Sequence, residues 1–217
     1  MSGENERVLV VGAGPVGLVA ACSLAMDGIP VTVVERSREL PMDLRASTFH
    51  PPTMDMLDRF GVMDNLIERG LICPHWQFRD REKGNVATFD LGLLAGETNH
   101  PYRLQCEQWK LTEKLRDMLD GWDLADILYD ATATGVTQDD DGVTLTIRNS
   151  GGDEEHLRGR YLIACDGAHS RIREMMGIEF EGMTIPETFF SMSTTFDFAE
   201  AIEDLAPIAY VTVPREW

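Results

Sequence analysis

The stretch Val8-Leu-Val-Val-Gly-Ala-Gly-Pro-Val-Gly17, continued by Leu18 to Met26 and by Val31-Thr-Val-Val-Glu35, decides how this chain folds. Arg7 to Val11 is a short apolar run suited to a buried parallel strand. A glycine turn, Gly12-Ala-Gly14-Pro-Val-Gly17, follows at once. An apolar helix then runs from Leu18 to Met26, where Asp27-Gly28-Ile29-Pro30 breaks it. Val31 to Val34 is a second strand, and it delivers an acid, Glu35, 18 positions after Gly17. Strand, G-x-G-x-x-G turn, helix, strand and acid in that order form the fingerprint of a dinucleotide-binding βαβ unit.

Each part of this unit has a physical task. Gly12 permits the tight turn out of the strand, Gly14 lets backbone approach a pyrophosphate, and Gly17 lets the helix lie close to the sheet. The helix points free N–H groups and about half a positive charge at the phosphates. Glu35 stands where it can accept hydrogen bonds from ribose hydroxyls. The unit is therefore expected to hold an ADP-containing cofactor. Gly12, Gly14, Pro15, Val16, Gly17, Glu35 and the adjoining Arg36 are its expected contacts.

Composition narrows the partners. The chain has 217 residues, 43% of them apolar and 26% charged, which suits a globular protein of one large domain or somewhat more. Net charge is −18, and the cations number 19, of which only Lys83, Lys110 and Lys114 are lysines. No basic stripe exists, so nucleic acid and anionic membranes are poor partners. A dianionic cofactor is still compatible, because screening over about 8 Å leaves local donors in charge. Val8 to Met26 carries no charge but holds three glycines and a proline at phosphate-loop spacing, so it reads as strand plus helix and not as a membrane span. Cys22, Cys73, Cys106 and Cys165 form no CxxC pair, which argues against zinc or disulfides and for a cytoplasmic protein.

Beyond Glu35, a polar loop leads through Arg45-Ala-Ser-Thr-Phe-His-Pro-Pro52 to a helix. Thr53 is its expected cap, Met54, Leu57 and Phe60 its apolar face, and Gly61 its end. A short helix is expected over Met63 to Arg69. Trp76 to Arg79 and Val86 to Leu91 read as strands around Lys83-Gly84-Asn85. Gln108 to Leu119 is an amphipathic helix with Leu111, Leu115, Met118 and Leu119 on one face. A strand meander follows, turning at Asp139 to Gly142 and Asn149 to Asp153, and ends in the apolar strand Arg160 to Ala164. Ile172 to Met176 is expected as a helix. From Ile185 the pattern is β-like, with strands at Phe189 to Met192, Thr194 to Phe198 and Ala209 to Val213. Trp76 and Trp109 read as core residues, and the five histidines are scattered without a partner that marks a catalytic base.

Cys165-Asp166-Gly167-Ala-His-Ser-Arg171 is the second informative stretch. A buried strand releases an acid and a glycine at its carboxyl end just before a helix, the place where parallel sheets bind ligands. The alternative is a plain Asp-Gly turn with a helix cap. Taken with the first fingerprint, the sequence resembles the flavin-dependent aromatic hydroxylases, single-component FAD monooxygenases related to para-hydroxybenzoate and phenol hydroxylase. The resemblance covers about Val8 to Phe198. Gly12 to Gly17 with Glu35 is similar to the ADP-binding motif of their FAD site. Arg45-Ala with Pro52 to Gly61 is similar to the stretch whose arginine lies near the flavin and pyrophosphate. Gln108 is similar to the family glutamine that touches FAD. Cys165 to Arg173 is similar to the motif, with Asp166, Gly167 and Arg171, that the family uses for FAD and NAD(P)H.

The resemblance implies an α/β fold: a Rossmann-like FAD-binding domain with a mostly parallel sheet and a β-meander, plus part of a β-sheet substrate domain. It divides the chain into 1–72 and 101–182 for FAD, with 73–100 and 183–217 for the substrate sheet. It implies that NAD(P)H reduces FAD, that O2 then forms a flavin C4a-hydroperoxide, and that a phenol-like ring is hydroxylated. The family's later Gly-Asp motif is not found before Trp217, so a C-terminal half or a complementary subunit is expected to complete the flavin site. Two other readings compete. A non-catalytic FAD-binding fragment needs only the fingerprint. An NAD(P)-dependent dehydrogenase would share the first unit, but no tyrosine has a lysine four residues on.

Overall fold

The structure, a computed structural model, describes residues 6–42 and 46–213. In chain order the elements begin with β1 (Val8–Val11), α1 (Pro15–Met26), β2 (Val31–Val34), β3 (Thr48–Phe49), α2 (Pro51–Leu57), α3 (Met63–Arg69), β4 (Leu71–Cys73), β5 (His75–Asp80) and β6 (Gly84–Asp90). They continue with β7 (Arg103–Gln105), α4 (Gln108–Leu119), β8 (Ala125–Leu128), β9 (Thr132–Asp139), β10 (Gly142–Arg148), β11 (Glu154–Gly159), β12 (Tyr161–Ala164), α5 (Arg171–Met175), α6 (Phe198–Ala201) and β13 (Ile208–Thr212). The chain forms two compact units, residues 1–46 with 107–181 and residues 47–106 with 182–217.

The first unit is built on a four-stranded parallel sheet in the order β12-β1-β2-β8. Val8 to Val11 and Val31 to Val34 are buried throughout, and the one polar member, Thr32, has its hydroxyl accepting from Arg7. Helix α1 packs on β2 and against α4. It buries Gly17, Leu18, Ala21, Cys22 and Ala25, while α4 answers with Leu111, Leu115 and Leu119. Burial pushes the Cys22 thiol up to about 12, so it behaves as a small core hydrophobe. The other face is covered by the antiparallel meander β9-β10-β11 and by α5. Leu9, Val11 and Val34 meet Val143, Leu145, Ile147 and Ile172 there. Each such side chain removed from water is worth about 1.5–3 kcal/mol.

The second unit holds two small sheets, β3-β7-β4 and β13-β5-β6. Met54, Leu57 and Phe60 are buried as the spacing requires, and Gly61 ends that segment. The expected cap at Thr53 is corrected: the helix starts at Pro51 after His50, because proline at the first position needs no amide partner. A further correction concerns Phe189 to Met192 and Thr194 to Phe198, which form no strands; the latter ends where α6 begins. Their apolar side chains are exposed, Phe189 by 90%, and no described strand pairs with them. Extended propensity without a hydrogen-bonding neighbour does not make a sheet. Among the described residues no helix is long and apolar enough to cross a membrane.

Candidate functional site

A cavity of about 390 Å³ opens at the carboxyl ends of β1, β2 and β12 in the first unit. Three sequence segments that are far apart converge there because the parallel register sets Val11 beside Val34 and Ala164. Each strand therefore ends level with its neighbours and hands its following loop to the same hollow. Gly12 to Val16, Glu35 to Ser37 and Cys165 to Gly167 are the three loops.

The glycines divide the work as backbone geometry dictates. Gly12 has φ +102°, and a Cβ there would lie 2.5 Å from the Cys165 carbonyl oxygen. A Cβ on Gly17 would sit 1.9 Å from the Gly12 carbonyl oxygen, so α1 can start this close to β1 only without a side chain. Gly17 thus packs beneath the turn and is not part of the cavity wall. At Gly14 a Cβ would meet nothing within 4 Å, and the residue faces the open hollow. Gly14 is also the N-cap of α1 and supplies no side-chain acceptor, and Pro15 follows. The orphan amides of that first turn, with the positive end of a 12-residue helix, are left for a ligand.

Glu35 ties two of the loops together. Its Oε2 accepts the Ala13 amide at 2.8 Å and its Oε1 accepts the Ser37 amide at 2.9 Å. A carboxylate has about four lone-pair sites, so capacity remains for hydroxyl donors. Asp166 locks the third loop: its carboxylate accepts the Ser170 hydroxyl at 2.6 Å and the Ile172 amide at 3.1 Å. Ser170 in turn caps α5 by accepting the Arg173 amide. The capping alternative for Asp166-Gly167 is thus observed, and both residues line the cavity as well. Burial first, and the Asp166 carboxylate second, push the Cys165 thiol above its ordinary range, so it is not a ready nucleophile.

Of the contacts expected from sequence, Gly12, Gly14, Pro15, Val16, Glu35, Arg36, Gln108, Asp166, Gly167 and Arg171 line this one cavity. Arg45 lies outside the described residues. Gln108 opens α4 with its backbone amide on the Ala46 carbonyl, and the residue borders the hollow. Trp109 also borders it and Trp76 is half-buried, which corrects the assignment of both to the core. Ser37, Thr112, Thr132, Ala133 and His169 were not expected. Thr132 and Ala133 carry no motif: they reach the site because β9 starts beside the end of β2, where the Ala131 amide binds the Glu35 carbonyl. Arg36, Arg171 and the α1 N-terminus supply positive potential. Uncapped amides, an open position beside a glycine and an acid with free lone pairs together suit an extended adenine nucleotide diphosphate.

Comparison with known proteins agrees. Residues 5–215 match the family model described as FAD binding domain. The chain is 32% identical over 212 residues to para-nitrophenol 4-monooxygenase of Pseudomonas sp. strain WBC-3, covering 98% of this chain and 52% of the relative. It is 31% identical over 197 residues to 6-hydroxy-3-succinoylpyridine 3-monooxygenase HspB of Pseudomonas putida, covering 89% and 49%. Among solved structures it superposes on p-nitrophenol 4-monooxygenase PnpA from Pseudomonas putida with a TM-score of 0.78 and 33% identity, over 83% of this chain and 46% of that one. It matches OxyS anhydrotetracycline hydroxylase from Streptomyces rimosus with a TM-score of 0.72 and 28% identity, over 82% and 35%. The chain spans about half the length of the first two relatives. With its glycine turn, acid and Asp-Gly loop gathered around one cavity, the chain belongs to the FAD binding domain family.

Proposed function

We propose that this chain is the FAD-holding part of a cytoplasmic monooxygenase that uses NAD(P)H and O2 to hydroxylate a small, phenol-like aromatic compound. The observation that carries the reading is the cavity where Gly14, Glu35, Gln108 and Asp166 converge. The residues present fit FAD: a Cβ at Gly14 would stand in open space, and the first turn of α1 has no side-chain cap. When bound, FAD accepts hydride from a nicotinamide and activates oxygen.

In this reading the α1 amides and Arg36 hold the diphosphate. Glu35 accepts the ribose hydroxyls with the lone pairs left by Ala13 and Ser37. Gln108 donates to the cofactor from the start of α4. Asp166 and Gly167 keep the β12–α5 loop in the shape that lets Arg171 and the backbone reach the ribityl and phosphate region. Arg45 joins the pyrophosphate contacts as the family resemblance suggests. The relatives' names supply the substrate class: two of them act on p-nitrophenol by name. A complementary half, in the same polypeptide or a second subunit, completes the wall around the flavin ring.

The test is a titration of purified protein with FAD, followed by flavin fluorescence and visible absorbance. Saturable binding near one flavin per chain is the expected result. A colourless protein that ignores FAD but binds NADH would replace this reading with the dehydrogenase one.

A further inference from the structure

We propose that Arg103, Trp76, Phe89 and Tyr210 form a subsite for the anionic group of an aromatic ligand of the benzoate or phenolate type. The inference rests on the aromatic-hydroxylase reading, and it adds the charge by which the ring is held.

The argument starts from strand register. Trp76 on β5 lies opposite Phe89 on β6 and Ile208 on β13, and Tyr210 comes two residues further along β13. Alternation puts Trp76, Phe89 and Tyr210 on one face of that sheet. The Trp76 and Phe89 rings stack with centroids 3.9 Å apart and an interplanar angle of 5°. Tyr210 meets Trp76 edge-on at 5.5 Å. The opposite face is closed: Gln77 and Arg79 are buried, and both donate to carbonyls of the 203–204 loop. The aromatic face is open, with Phe89 45% and Tyr210 51% exposed.

Arg103 reaches this platform from β7. Its guanidinium lies 4.9 Å from the Trp76 ring centroid and 5.9 Å from that of Tyr210, and it donates to the Tyr210 hydroxyl at 3.1 Å. A guanidinium has five N–H donors, and this contact uses one. The Tyr210 hydroxyl keeps its own proton to donate. Among the described residues no carboxylate pairs with Arg103, although the chain carries 37 acids against 19 cations. Arg116, Arg148 and Arg158 each have an acidic partner. Arg103 is therefore positioned by contacts that leave its charge and its fork unspent. A planar fork beside exposed aromatic faces matches a carboxylate or phenolate borne on a ring.

Calorimetric titration of the protein with benzoate and with its neutral isostere benzamide, without reductant, tests this. Wild type is expected to prefer benzoate by about tenfold or more. Arg103→Gln should erase the preference, Arg103→Lys should keep part of it, and Tyr210→Phe should reduce it less. Equal affinities, or no binding of either ring by wild type, overturn the proposal. So does a preference that survives Arg103→Gln at an unchanged melting temperature. If Arg103→Gln fails to fold, the wild-type ratio and Arg103→Lys decide. Flavin fluorescence on the same samples reads FAD binding separately, so lost flavin affinity with a retained anion preference condemns the hydroxylase reading alone.

Discussion

The carboxylate of Glu35 accepts the backbone amide of Ala13 at 2.8 Å, joining the end of β2 to the glycine turn that follows β1. Its second oxygen holds the Ser37 amide at 2.9 Å. The acid thus builds the cavity wall from within the protein, and two amides leave part of its acceptor capacity unused.

Glu35→Ala should therefore fail on two counts. Losing an acceptor shared by two amides should cost about 1–3 kcal/mol of stability, read as a lower melting temperature. FAD affinity should fall by about tenfold or more, read by flavin titration. A variant with wild-type melting and weakened FAD would show that the amide contacts are energetically idle.

Gly14 and Gly17 should respond in opposite ways to alanine. At Gly14 the added methyl meets no protein atom within 4 Å, so the stability loss should not exceed about 1 kcal/mol, the cost of alanine at an N-cap, while FAD binding weakens. At Gly17 the methyl would sit 1.9 Å from the Gly12 carbonyl, so α1 must shift and the fold should lose several kcal/mol. Equal melting temperatures for the two variants would contradict the packing described.

The Asp166 loop makes a third case. Asp166→Ala removes the acceptor for the Ser170 hydroxyl and the Ile172 amide. We expect a loss of about 1–3 kcal/mol and faster hydrogen exchange at Ile172 and Arg173. Unchanged exchange at both amides would mean that α5 is held by Ile172 packing alone.

Acid sensitivity should have two sources in the second unit: Asp80, held low by the Lys83 and Glu82 amides, and Asp58, which a single substitution can isolate. The hydrogen bond from His100, 2.8 Å from Asp58, holds the Asp58 carboxyl below its ordinary value. A lowered folded value stabilises above about pH 4, the unfolded range of an aspartate, and that stability is lost as pH falls through the folded value. His100→Ala should therefore flatten the stability profile below about pH 4. Identical profiles for variant and wild type would remove the pair from acid unfolding.

Much of the site could be read from the chain. Val8 to Glu35 declared itself because each of its residues has a local reason: period, turn, cap and acid all lie within one βαβ unit. Met63–Arg69 and Gln108–Leu119 were equally plain, since their apolar spacing and flanking glycine or polar residues are local too. Phe189 to Phe198 misled for the same reason: a β-like pattern states what a strand would look like, while a strand exists only beside another. Trp76 misled because a large aromatic in a strand looks the same whether it is buried or stacked on an open face.

Sequence by itself determined the parallel β1–α1–β2 unit, its glycine turn and the acid that follows it, because steric and hydrogen-bonding demands over some thirty neighbouring residues leave one solution. Only tertiary structure decided that Cys165 presses against Gly12, that Thr132 joins the cavity, and that Arg103 lies on Trp76. Those relationships depend on strand order and register between distant segments. That order is set by how whole faces pack against each other, so no local pattern records it.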